Sequence, residues 1–227
     1  MSALLPNSPI VVGTIHSHAA LREALRLKPG AVDLLELRVD HFVADLDSLR
    51  RAVPKLRAPL IVTVRHPREG GACELKNIER VRLFAEFLPC ASFIDVELRS
   101  IAALEATLAA ARAQKTGIIV SDHHFKTTPS LAQLQARRQM ARQAQPDIFK
   151  VATFTSRPGE FATLLSFLTA TKNPPALSVM GMGEFGKVSR LALARAGSVL
   201  NYGYLGEAQL PGQWPAVELK RRLQELA

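Results

Sequence analysis

Residues 117–153, GIIVSDHHFKTTPSLAQLQARRQMARQAQPDIFKVAT, hold one complete strand–helix–strand unit, and its reading decides the fold. Gly117–His123 is a short β-branched run that ends in polar residues. Leu131–Ala144 carries an amphipathic helical pattern, and Ile148–Thr153 is a second apolar run. A strand, a crossover helix and another strand imply parallel pairing. The unit recurs along the chain. Strands are expected at Ile10–Thr14, Val32–Arg38, Leu60–Arg65, Phe93–Leu98, Ala176–Gly181 and Ser198–Tyr204. Helical patterns lie at Leu75–Leu88, Ile101–Gln114 and Glu160–Ala170, with a closing helix at Val217–Leu226. Eight such units predict an α/β protein, a (β/α)8 TIM barrel filling residues 1–227 as a single domain. A doubly wound open sheet is the competing architecture.

Composition narrows the class. Of the 227 residues, 48% are hydrophobic and the charged residues are interspersed, as in a globular protein. No apolar run is long enough to span a bilayer. Met1 to Pro9 lacks a basic start, an apolar stretch and a cleavage site, so no signal peptide is expected. Cys73 and Cys90 are the only cysteines, too few for a disulfide framework or a thiolate metal site, and a reducing cytoplasm is the expected location. The net charge of +9 suits either a polyanion or an acidic substrate. No basic stripe interleaved with aromatics is present to stack nucleic-acid bases.

In such a barrel the chemistry belongs at the C-terminal ends of the strands. Polar residues converge there: Glu36 and Arg38, Thr63 and Arg65, Asp95 and Glu97, Ser121 and His123, and Lys150 within Ile148-Phe149-Lys150-Val151-Ala152. A lysine in a buried strand is desolvated, and desolvation or a nearby cation lowers its pKa and frees the amine to attack a carbonyl. The competing reading is a lysine near a strand end that reaches out to solvent. An imidazole at His123, one strand before Lys150, is able to take and return a proton near neutral pH. Alternation puts Ser121 and His123 on one face, either inward or toward the helices. His124 points elsewhere, as a structural or supporting group, and His16 and His18 read as surface residues. Arg38, Arg65 and Arg190 offer planar forks for an anion, one of which is open to a purely structural ion pair. Glu69, before Gly70-Gly71, is a candidate to orient the imidazole.

Gly181-Met182-Gly183-Glu184-Phe185-Gly186 formally matches the dinucleotide fingerprint, but too little chain follows it to build a nucleotide-binding half. It reads instead as a glycine turn that lets Ser189 and Arg190 sit near a helix start. Neither a phosphate loop nor a histidine–cysteine metal pattern is present.

Taken in order, several stretches resemble the type I 3-dehydroquinate dehydratases of the shikimate pathway. They are Glu36-Leu37-Arg38-Val39-Asp40, Thr63-Val64-Arg65 with Glu69-Gly70-Gly71, and Ser121-x-His123-x-Phe125 with Thr128-Pro129. Lys150-Val151-Ala152, Met180-Gly181-Met182 through Ser189-Arg190, and Pro211-Gly212-Gln213 complete the set, which spans nearly the whole chain. The resemblance implies a hydro-lyase of aromatic amino-acid biosynthesis, forming a Schiff base and eliminating water in the syn sense. It implies Lys150 as the Schiff-base lysine, His123 as the acid–base and Glu69 as its partner. Glu36, Arg38, Arg65, Arg190 and Gln213 would be substrate-binding positions, with Arg190 on the substrate carboxylate and Gln213 in a closing loop. It further implies no metal or organic cofactor, a small carboxylate as ligand, no nucleic-acid or membrane partner, and a homodimer.

The chain departs from that pattern at four places. His124 stands where aspartate is common, Gln209-Leu210 where the loop usually reads serine-alanine, Tyr202 where phenylalanine is common, and Gly13-Thr14 where a serine often ends strand one. Two rivals accompany the reading. A lysine-dependent aldolase barrel shares the iminium chemistry but breaks a carbon–carbon bond, and a basic nucleic-acid-binding protein predicts salt-sensitive affinity and no use for a buried lysine.

Overall fold

Eight apolar runs pair side by side in a computed structural model that describes residues 9–170 and 173–226. The expectation about a signal peptide falls on Met1–Ser8, outside the described residues. The strands are β1 Ile10–Ile15, β2 Leu34–Arg38, β3 Leu60–Thr63, β4 Ala91–Glu97, β5 Gly117–His124, β6 Ile148–Phe154, β7 Ala176–Met182 and β8 Leu200–Tyr204. The helices are α1 His18–Arg26, α2 Leu46–Ala52, α3 Asn77–Phe87, α4 Glu105–Ala113, α5 Leu131–Ala141, α6 Pro158–Thr169, α7 Gly186–Arg195 and α8 Ala216–Glu225.

All pairings are parallel, in the order β7-β6-β5-β4-β3-β2-β1-β8. Strand neighbours follow chain order and β1 also pairs with β8, which excludes the open doubly wound sheet. The seam between β7 and β8 is closed partly by side chains. Val199 N donates to Leu177 O at 2.9 Å, Ser178 Oγ to Leu200 O at 2.7 Å, and Val179 N to Ser198 Oγ at 2.9 Å. The chain forms a (β/α)8 TIM barrel.

Alternation along each strand sorts the residues. One set packs under the helices as the larger core, including Leu35, Leu37, Val62, Ile94, Val120, Phe149 and Val151. The other set fills the barrel. Ile10, Val12, Leu34, Ile61, Phe93, Ile119, Ile148 and Leu200 make an apolar plug at its lower end. Gly117 has no side chain because a Cβ there would meet the Phe93 ring at 2.3 Å. Above the plug the inward positions turn polar: Thr14, Glu36, Thr63, Asp95, Ser121, Lys150 and Ser178, all buried.

Every strand departs from the sequence reading by one or two residues at an end, and two of these ends show a local reason. β2 begins at Leu34 rather than Val32, and the Asp33 carboxylate just before it accepts from Val11 N and from Lys220 Nζ. β3 stops at Thr63 rather than Arg65 because the next backbone groups are taken by side chains. Val64 O accepts two bonds from the Arg80 guanidinium, at 3.0 and 2.7 Å, and Arg65 N donates to Asp40 Oδ1.

Arg80 is fully buried and also donates to Glu97 Oε2 at 2.6 Å and Ser100 Oγ at 3.0 Å. It thereby ties α3 to the ends of β3 and β4. Removing one partner of a buried ion pair leaves the other charge uncompensated. Arg80→Met is expected to lower unfolding stability by about 3 kcal/mol in urea denaturation. A variant as stable as the parent would contradict this account of the strand ends.

Candidate active site

The upper end of the barrel opens into a cavity of about 220 Å³, toward which β1, β2, β5, β6, β7 and β8 direct side chains. Glu36, Arg38, Arg65, Glu69, His123, Lys150, Arg190 and Gln213 all line it, so every residue expected from the sequence reaches one place.

Lys150 is 3% exposed and does not reach out to solvent. Its surroundings include two carboxylates. Asp95 Oδ2 lies 2.5 Å from Lys150 Nζ, and Glu36 Oε1 lies 3.7 Å away. Arg65 binds the other side of the same carboxylate: its Nη1 is 2.8 Å from Asp95 Oδ1, 3.2 Å from Glu97 Oε1, and donates to Ser121 Oγ at 2.7 Å. Burial opposes ionisation of Asp95, but Arg65 and Lys150 outweigh it and hold the carboxyl below the ordinary carboxylate range. Glu36 accepts from Thr14 Oγ1 at 3.3 Å and Thr63 Oγ1 at 3.0 Å. The Tyr202 ring covers the amine, its centroid 4.3 Å from Nζ.

Ser121 and His123 both face inward. Ser121 pairs in register with Lys150, and His123 sits two residues further along β5. Its Nδ1 is 2.9 Å from Glu69 Oε2, and its backbone N–H donates to the same oxygen at 3.2 Å. With Glu69 ionised, Nδ1 carries the proton and Nε2 keeps a free lone pair. Burial is the largest influence on both partners. It holds the imidazole well below the ordinary histidine range, helped by the charges of Arg65 and Lys150. It also pushes the Glu69 carboxyl up to about 7, with Arg65 opposing and Glu97 and Asp122 adding to the rise. Glu69 reaches this position through a short 3-10 turn, Pro67–Glu69, ended by Gly70 at φ 83°, a conformation that favours glycine.

The three arginines differ in what already meets their charge. Arg38 forms a two-point pair with Asp40, at 3.0 and 2.8 Å, and donates to Gly70 O at 2.7 Å. Arg65 belongs to the network above. Arg190 is 3% exposed and has no ion-pair partner among the described residues. Its Nη1 donates to Tyr202 O at 2.9 Å, and its Nε has no hydrogen-bond partner among the described residues. Burial alone lowers it to about 10. The glycine turn supports this placement: Ser189 Oγ accepts from Gly181 N and donates to Gly186 O, fixing the start of α7, with Arg190 the next residue along the helix.

The loop after β8 closes over the same glycines. A Cβ at Gly212 would meet Gly183 O at 2.2 Å, so only bare backbone allows the approach. Gln213 Oε1 accepts from Gln209 N at 2.9 Å and Leu210 N at 3.3 Å, folding the loop on itself. His124 points away, to Asp122 Oδ2 at 2.8 Å. His18 is exposed as expected, but Asp45 partners it at 2.9 Å, and His16 is half-buried against the His41 ring rather than on the surface.

Asp95 was visible in the sequence as a polar residue on β4, yet not as the partner of Lys150. The available signal was the spacing Phe93, Asp95, Glu97: two carboxylates on one face of a buried strand need buried cations. Tyr202 was legible only as a departure. Because burial lowers the His123 pKa, its ring is expected to stay neutral at pH 6 in an NMR titration, protonating only as the pH falls well below 6.5. A midpoint at or above 6.5 would refute this electrostatic account.

The chain matches the type I 3-dehydroquinase family over residues 9–227. It is 34% identical over 215 residues to a 3-dehydroquinate dehydratase of Thermodesulfovibrio yellowstonii, covering 92% of each chain. It is 33% identical to that of Methanothermobacter thermautotrophicus, over 86% of this chain and 85% of the relative. The crystal structure of 3-dehydroquinate dehydratase from Geobacillus kaustophilus superposes with a TM-score of 0.87 at 26% identity, covering 97% of this chain and 91% of the other. Fold, cavity and kinship agree, and the chain belongs to the type I 3-dehydroquinase family.

Proposed function

We propose that this chain dehydrates 3-dehydroquinate to 3-dehydroshikimate through a Schiff base on Lys150, as a step toward aromatic amino acids. The observation that carries the reading is a single one. A buried amine, an imidazole hydrogen-bonded to a carboxylate and a guanidinium without an acid partner among the described residues line one cavity at the C-terminal end of the barrel. A ring ketone, a carboxylate and a leaving hydroxyl on one small substrate match those three groups. Family membership favours this over the aldolase reading.

Arg190 holds the substrate carboxylate, since a buried unbalanced guanidinium gains most from a bidentate anion. Glu36, Arg38, Arg65 and Gln213 contact or frame the remaining hydroxyls. The Lys150 amine, freed of its extra proton, attacks the ketone. Asp95 is committed to its ion pairs with Arg65 and Lys150. The lone pair of His123 Nε2 is the base available. Proton transfer through His123 expels water from the carbinolamine and leaves an iminium. His123 then removes a proton from the adjacent carbon to give an enamine, and returns it to the departing hydroxyl, which leaves as water. A second water hydrolyses the iminium, releasing product and restoring the amine. The protein works in the cytoplasm as a homodimer, with residues 1–227 as one catalytic domain.

Borohydride added with 3-dehydroquinate is expected to fix an adduct on Lys150, read by mass spectrometry, and turnover to give the ultraviolet absorbance of a conjugated enone. No adduct on Lys150 refutes the covalent step. His123→Ala is expected to reduce kcat by about a hundred- to ten-thousand-fold. Above pH 7 Glu69 is ionised, and its charge beside Nδ1 makes Nε2 the stronger base. The kcat/KM of the parent is therefore expected to rise with an inflection near pH 7, where Glu69 titrates, and Glu69→Gln to erase it. An unchanged pH profile in that variant would exclude Glu69 as the partner that tunes His123.

A further inference from the structure

Tyr202 occupies an inward position of β8 at 7% exposure and lines the cavity, yet its hydroxyl has no hydrogen-bond partner among the described residues. A buried, unpaired hydroxyl costs stability in the free protein, so its retention needs a reason outside the fold. The aromatic ring already has one. It covers Lys150 Nζ at 4.3 Å, which a phenylalanine would do equally well. The backbone does further work, because Tyr202 O accepts from Arg190 Nη1 at 2.9 Å. One residue thus touches both the amine and the unbalanced guanidinium, and its buried phenolic oxygen makes no hydrogen bond among the described residues.

Three of the four oxygens on the neighbouring carboxylates already accept hydrogen bonds, and the fourth, Asp95 Oδ2, meets the Lys150 ammonium as an ion pair. Glu36 accepts from Thr14 and Thr63, and Asp95 Oδ1 from Ser121, while Asp95 Oδ2 faces Lys150. Burial, and then the charges of Glu36 and Asp95, push the phenol well above its ordinary pKa, so it keeps its proton and remains a donor. A donor with no hydrogen-bond acceptor among the described residues, on a cavity-lining residue whose ring meets Lys150 and whose backbone meets Arg190, is satisfied by a bound ligand.

We propose that the Tyr202 hydroxyl is an additional substrate-positioning group, donating a hydrogen bond to an oxygen of the polyhydroxylated ring carboxylate held between Lys150 and Arg190. The inference rests on the reading of the cavity given under Proposed function.

The test is Tyr202→Phe in the full chain, which keeps the ring over Lys150 and removes only the hydroxyl. The loss of one ligand hydrogen bond is expected to raise KM for 3-dehydroquinate about three- to tenfold. The kcat is expected to stay within about twofold, the pattern of a contact made equally before and during reaction. The free-protein Tm is expected to be unchanged or raised, because an unpaired buried hydroxyl is gone, and the Tm gain on adding substrate to be smaller than in the parent. An equal KM in parent and variant overturns the proposal. So does a raised KM accompanied by a lowered free-protein Tm, which would mark the hydroxyl as structural. Borohydride separates the two levels of inference. Lys150 adducts in both chains with equal KM overturn this proposal alone, whereas no adduct in the parent overturns the functional reading and this proposal with it.

Discussion

Asp95 is a carboxylate with no solvent exposure, gripped by Arg65 on one oxygen and Lys150 on the other, and the upper barrel is arranged around it. Taking a charge out of water is expensive, and it is tolerable only where opposite charges and hydrogen bonds surround it closely. The neighbours supply them. Ser121 donates to Asp95, Arg65 extends to Glu97, and Arg80 closes the far end on Glu97 and the Val64 carbonyl. The chain of contacts crosses from β6 through β4 and β3 to α3. It fixes where the reactive amine points by making any other rotamer leave a buried carboxylate unmatched.

The opposite side of the cavity is built on neutrality instead. His123 and Glu69 are both shifted by burial toward their uncharged forms. That suits a proton carrier, which works best when neither of its states is locked by a strong ion pair. Arg65 and Lys150 reinforce the effect on the imidazole, so the network that anchors the amine also keeps its partner a free base. Arg190 completes the division. It is a buried cation whose counter-charge, among the described residues, is not supplied by the protein. An anchored amine, an uncommitted base and an unbalanced cation therefore occupy three sides of one small space.

The glycine-rich stretch shows how a local pattern acquires meaning only in context. Gly181, Gly183 and Gly186 carry the spacing of a nucleotide turn, but each is small for a packing reason. Ser189 presses on Gly181, the Phe154 ring on Gly183, and the backbone of Gly212 on Gly186. Their combined effect is to bring the Gln209–Gln213 loop down onto the start of α7, beside Arg190. The altered loop residues Gln209 and Leu210 still line the cavity, and Gln213 accepts from the backbone of both.

Much of the architecture was legible in one dimension. Alternating strands and amphipathic helices, repeated eight times, are consequences of residue order alone, because the two-residue and 3.6-residue periods are properties of the backbone. The same periods put Glu36, Arg38, His123 and Lys150 on strands, and these residues line one cavity together with Arg190 of α7. What residue order left open was which charges would be matched and which left unmatched. Arg38, Arg65 and Arg190 look alike in sequence. The turn after β2 folds Asp40 back onto the first, the register between strands put Asp95 and Glu97 beside the second, and the third was left without an acid among the described residues. Strand boundaries at Thr63 and Leu34 were likewise decided by distant side chains, Arg80 and Asp33, capturing backbone groups. Periodicity is local and survives any topology, whereas electrostatic partnership depends on distances of a few ångströms across the barrel, and those exist only once the ring of strands has closed.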